Sequence, residues 1–94
     1  MGVVDDLVVR IRATNLSWRE VHGQVVALDL ESSTYFTTNK TGTLLWRAMV
    51  DGSTVAALIA LLSARFQLSY NDSAADVRDF LEVLAANGLL EESD

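Results

Sequence analysis

Residues 7–12 begin apolar and then alternate. Val9 and Ile11 fall on one face, Arg10 and Arg12 on the other, the period-two signature of a half-buried strand. Arginines there suit an outer strand, because charge at a sheet edge discourages pairing with another chain. Residues 17–22 predict a second short strand, with Trp18 as a core or sheet-cover residue and Gly23 giving the backbone freedom for a turn. The pattern sharpens over residues 24–30. Val26, Leu28 and Leu30 share a parity opposite to Val25, Ala27 and Asp29, so the even face is expected to meet the helices. Glu31, Ser32 and Ser33 reverse the chain into a partner strand over residues 34–38. There Phe36 and Thr38 share one face, Tyr35 and Thr37 the other, and Phe36 is the better core candidate.

The period then lengthens to that of a helix. Asn39 is a good N-cap for a helix over residues 40–50 whose Leu45, Trp46 and Met49 reach the core. Gly42 is a weak point in it unless something packs close. Asp51 and Gly52 end it, and Ser53 or Thr54 caps a second helix over residues 54–66 with Val55, Leu58, Ile59, Leu62 and Phe66 on one side. After a polar connection in which Leu68 and Tyr70 serve as anchors, a third helix is expected from Asp72 or Ser73 to just before Gly88. Asp76, three residues after Ser73, resembles a capping box. At about 100° per residue, Val77, Leu81, Leu84 and Ala85 form its core stripe, while Phe80 and Val83 are displaced to the flank shared with Asp76 and Asn87. Leu89 and Leu90 fold the end back, and residues 91–94 read as a frayed acidic tail.

Composition narrows the function classes. The 94 residues read as one domain spanning 1–94, and an apolar half implies a packed core. Thirteen acids against seven bases, a net charge of −6, oppose polyphosphate binding, so nucleic acid is not an expected partner. Three helices after a hairpin do suggest a helix-turn-helix. From residue 72 onward, however, Asp72, Asp76, Asp79, Glu82, Glu91, Glu92 and Asp94 face Arg78 alone, which disfavours DNA.

No cysteine is present, which excludes disulfides and thiolate chemistry and suits a reducing cytoplasm, the expected location. The longest apolar run, residues 55–62, is far short of the roughly 20 residues of a membrane span. Residues 1–6 lack a basic, cleavable signal pattern, and Asp6 stands where a myristoylation motif carries Ser or Thr.

Chemistry-bearing constellations are missing. The sequence has no glycine-rich phosphate loop, nucleophile elbow, histidine pair or acidic calcium loop, and His22 is its sole histidine. An enzyme is therefore not expected, and neither a cofactor nor a metal is called for.

Many weak signals in order carry a resemblance: Gly23 to Asp29, Tyr35 to Asn39, Thr41-Gly42, Leu45-Trp46, Asp51 to Val55, Asp76-Val77, Phe80-Leu81, Leu84 and Gly88 to Leu90. Over roughly residues 17–90 the chain resembles the PqqD-like family, the precursor-peptide recognition elements of ribosomally made, modified peptides. It is also similar to the discrete leader-binding proteins of lasso peptide clusters. One departure is Thr38, where the family usually carries leucine.

The resemblance implies an α+β, winged-helix-like fold, an N-terminal three-stranded antiparallel sheet followed by three helices. It also implies non-catalytic recognition of a precursor's leader segment, which adds as a strand to the third sheet strand in a groove closed by the third helix. Carried over, the leader-binding residues are Thr34, Tyr35, Phe36, Thr37, Thr38, Asp76, Val77, Phe80, Val83 and Leu84. The implied partner is a leader-cleaving cysteine protease of lasso peptide biosynthesis, or else, in a PqqD-type chaperone, a radical SAM enzyme. A second copy of the chain is the alternative occupant of the open strand, as in a self-associating homodimer.

Overall fold

In a computed structural model that describes residues 7–93, six strands and three helices follow one another. They are β1 (Val8–Ile11), β2 (Leu16–Val21), β3 (Gln24–Asp29), β4 (Thr34–Thr37), α1 (Lys40–Met49), β5 (Ser53–Thr54), α2 (Val55–Phe66), α3 (Tyr70–Ala86) and β6 (Leu90–Ser93). The expected fold class holds, since β2, β3 and β4 form an antiparallel sheet and three helices follow. Readings on residues 1–6 and on Asp94 lie outside the described residues.

A second sheet, in the order β5-β1-β6, corrects two expectations. β1 is its central strand and not an outer one. Residues 90–93 pair along β1 with Arg10 opposite Glu91, so most of the supposed acidic tail is a strand. The arginines fit a central strand because each finds oxygen partners: Arg10 donates to the Asp51 carbonyl at 3.2 Å, and Arg12 to Asp29 Oδ1 at 2.6 Å.

That Arg12–Asp29 pair also explains a reversed parity in β3. Val25, Ala27 and Asp29 face inward, while Val26 and Leu28 are half-buried on the outer face and Leu30 is 54 % exposed. Alternation alone favours the even positions. Asp29 can be buried because the Arg12 guanidinium compensates its charge. Register adds a second reason, placing small Ala27 between Trp18 of β2 and Phe36 of β4. Both aromatic rings meet Trp46 of α1, Trp18 edge-on at 5.6 Å and Phe36 nearly parallel at 6.0 Å. A bulkier residue at 27 would compete with those rings for the same space.

The helices follow their caps. Asn39 accepts the Gly42 N–H at 2.8 Å and Thr54 accepts the Ala57 N–H at 3.1 Å, so α1 and α2 start where the capping pattern places them. Gly52, at φ +96°, takes the left-handed turn after α1. α3 starts earlier than the periodicity suggested, because Ser69 accepts the Asp72 N–H at 3.1 Å and is the cap. Ser73 is instead fully buried, bonded to the Ser63 hydroxyl at 2.8 Å between α2 and α3. Phe66 and Ala85 are exposed and not core, as is Tyr70, so Leu68 alone of the two expected anchors is half-buried.

The core joins both sheets to the helices through Val9, Val25, Leu45, Trp46, Met49, Leu58, Leu62, Val77, Leu84 and Leu89. No helix among the described residues is long and apolar enough to cross a membrane.

Candidate functional site

β4 pairs with β3 on one side only, and its other edge has no strand partner among the described residues. Backbone alternation identifies which groups that edge offers. The Thr38 N–H donates to the Val25 carbonyl at 3.2 Å, in register with the pairs Val26↔Thr37, Ala27↔Phe36 and Leu28↔Tyr35. In an antiparallel ladder every second residue bonds the same neighbour. Phe36 and Thr34 therefore bond β3, and the N–H and C=O groups of Tyr35 and Thr37 point to the open edge.

Side chains alternate as well. Phe36 and Thr38 turn inward, and Thr38 is buried despite its polarity because its hydroxyl is fully used. It accepts the Val25 N–H at 2.9 Å and lies 2.6 Å from the Thr43 hydroxyl, which donates to the Asn39 carbonyl at 2.9 Å. The proton between the two hydroxyls therefore comes from Thr38. This relay welds the end of β4 to the first turn of α1, a polar answer at a position where leucine would pack by contact.

Between β4 and α3 lies a groove of about 350 Å³. Its strand-side lining is Phe36, Thr37 and Thr38; its α3 wall is Asp76, Asp79, Phe80 and Val83; and Asn39, Thr41, Gly42 and Leu45 form the floor from the start of α1. Gly42 has to be small here. A Cβ on it would lie 3.0 Å from the Phe80 ring and 3.1 Å from Thr38 Cβ. The absent side chain lets Phe80 settle on α1 and form the groove's apolar shoulder.

Gly42→Ala is accordingly expected to change stability by less than about 1 kcal/mol, since the helix preference for alanine offsets the crowding. The displaced Phe80 narrows the groove, so a ligand held there binds more weakly. Paired thermal melts and binding titrations check this separation.

Of the sequence-derived site residues, Phe36, Thr37, Thr38, Asp76, Phe80 and Val83 are brought together at the groove. Thr34 and Tyr35 lie farther along β4, with the Tyr35 side chain 72 % exposed on the outer face of the sheet. Val77 and Leu84 are 1 % and 0 % exposed, packed in the core behind the wall, and have no surface to offer a ligand. Asn39, Thr41, Gly42 and Asp79 were missed, while Leu45, 1 % exposed, closes the floor from the core as expected. The signal for Asp79 was present, because Asp76, Asp79, Phe80 and Val83 follow the i, i+3, i+4, i+7 spacing of one helix stripe.

Among the described residues the groove's charges are carboxylates only. No lysine, arginine or histidine lines it, and neither Asp76 nor Asp79 is in an ion pair among the described residues. Nor do the described residues contain a group of three histidines or acids that could hold a metal. An open strand edge, an apolar shoulder and two acids without ion-pair partners among the described residues are features that can hold an extended polypeptide.

Residues 24–90 match the family described as Coenzyme PQQ synthesis protein D (PqqD). The chain belongs to that family. Two solved structures share this PqqD-family architecture. One is TbiB1 in complex with the TbiA(beta) leader peptide, 27 % identical, with 87 % of this chain and 94 % of that chain aligned at a TM-score of 0.80. The other is lasso peptide synthetase B1 complexed with the leader peptide, which has the same fold at 24 % identity and a TM-score of 0.78, over 88 % of this chain and 96 % of that one. No curated protein matches the chain.

Proposed function

We propose that this chain binds the leader segment of a ribosomally synthesised precursor peptide by strand addition and delivers it to a separate maturation enzyme. The observation that carries the reading is the free β4 edge above an apolar groove, in a chain 27 % identical to a protein whose structure contains a leader peptide. Backbone pairing with Tyr35 and Thr37 supplies affinity with little demand on sequence, and the Phe80 and Val83 shoulder selects side chains. The role is non-catalytic, performed by one domain without cofactor, in the cytoplasm where precursors are made.

In lasso peptide biosynthesis the receiving enzyme is a leader-cleaving cysteine protease. Holding the leader beside that enzyme raises the local concentration of the scissile segment without any new catalytic group.

Titrating the cognate leader into labelled protein tests the site. The amide signals of Tyr35, Phe36 and Thr37 and of the Phe80 region are expected to move together, and shifts confined to other surfaces refute the site. Val83→Asp offers a second check. Val83 is 47 % exposed, so the free protein can hydrate the new carboxylate and keep its fold, whereas a bound apolar side chain would strip that water away. Leader affinity is expected to fall roughly tenfold or more with the melting temperature little changed.

A further inference from the structure

The leader-binding reading says that a strand docks in the groove; the α3 wall says which side chains that strand carries. Asp76 and Asp79 form one end of the wall stripe, Phe80 and Val83 the other. At about 1.5 Å of rise per residue, the centres of the acidic and apolar halves stand about 6 Å apart along the helix. Neighbouring same-face side chains of a strand stand about 6.6 Å apart. For a guest strand running along α3, the two repeats match.

We infer that the bound segment carries a lysine or arginine two positions from a large apolar residue, the cation facing Asp76 and Asp79 and the apolar side chain facing Phe80 and Val83. Three features bear on this together. Among the described residues the groove has no positive side chain of its own, so its two carboxylates have no compensating charge there. The strand edge places every second guest side chain toward the groove. Finally, the apolar shoulder is left uncovered by the protein itself, with Val83 about half exposed.

The inference rests on the leader-binding reading, and the experiment separates the two. A displayed library of random twelve-residue peptides is selected against the full chain, and in parallel against the Asp76→Asn, Asp79→Asn double variant. Both substitutions are at exposed helix positions, which spares the fold. Selected peptides are then located by the amide shifts of Thr37 and Val83.

Wild-type binders are expected to converge on a cation two positions from a large apolar residue. The double variant is expected to retain the apolar preference and lose the cationic one. Replacing the cation of a selected peptide by norleucine should weaken binding about fivefold at low salt and much less at high salt. Binders that shift Thr37 and Val83 but carry no such cation, or keep it on the double variant, overturn the inference and leave the groove standing. Binders that move neither amide remove both.

Discussion

Thr37→Pro weakens leader binding tenfold or more while the protein still melts cooperatively; this is the expected result at the open edge. The Thr37 N–H is one of the two donors of β4 that face away from β3, as the register and the Thr38 to Val25 hydrogen bond require. Proline deletes that donor, and its ring stands where a guest strand must approach. Edge strands tolerate proline when the missing N–H faced solvent, and Phe36 before it is already in the extended backbone that a residue preceding proline prefers. The loss of about one net strand hydrogen bond is roughly 1 kcal/mol, about fivefold in affinity, and steric exclusion of the guest strand by the ring carries the loss to tenfold or more.

Phe36→Pro is the control from the opposite parity. It removes a bond to β3 and unseats the ring stacked on Trp46 at 6.0 Å, so it should lower stability by about 3 kcal/mol. Calorimetric titration with the leader, paired with thermal melts, distinguishes the two variants. Undiminished binding by Thr37→Pro would mean that the guest does not pair at this edge.

How much of this was legible beforehand depends on the range of the forces involved. α1 and α2 were readable because their starts are fixed within four residues, by Asn39 and Thr54, and their stripes repeat every turn. The displacement of Phe80 and Val83 from the α3 core stripe was readable for the same reason, and it located the groove wall.

The parity of β3 was not readable. It turns on the Arg12 charge that allows Asp29 inside and on aromatic rings from two other strands flanking Ala27. β6 was hidden too. Glu91, Glu92 and Ser93 have little strand preference and are ordered by pairing with β1 some eighty positions away in the chain. Thr38 is the intermediate case. Its departure from the family's leucine was visible, but the relay that justifies it needs the Val25 N–H and the Thr43 hydroxyl brought from both sides.

Arg12 is where a comparably large effect on stability is expected. Its guanidinium donates from Nε to the Thr14 carbonyl at 2.9 Å, from Nη1 to the Gly88 carbonyl at 2.9 Å, and from Nη2 to the Asn15 carbonyl at 3.0 Å and Asp29 Oδ1 at 2.6 Å. One side chain thus ties β1 to the β1–β2 connection, the end of β3 and the turn after α3. Arg12→Met loses the three carbonyl contacts at about 1 kcal/mol each, roughly 3 kcal/mol, or about 15 °C in Tm for a chain of this size.

The same pair sets an acid limb. Hydrogen bonding from Arg12 holds the Asp29 carboxyl down to about 2; burial opposes this, and the Glu31 N–H and the Ser32 hydroxyl assist. An ordinary aspartate titrates near 3.9. The folded form therefore binds this proton less readily than the unfolded one, and the stabilisation is complete above about pH 4 and drains away as pH falls toward 2. Asp29→Asn should flatten the wild-type loss of stability across that window and be less stable at neutral pH. In Arg12→Met the main cause of the depression is gone while burial remains, so the acid limb should move upward in pH. Denaturant melts of the three proteins between pH 2 and 7 measure both shifts, and a wild-type curve unchanged from pH 4 to 2 would mean that Asp29 contributes nothing through its charge.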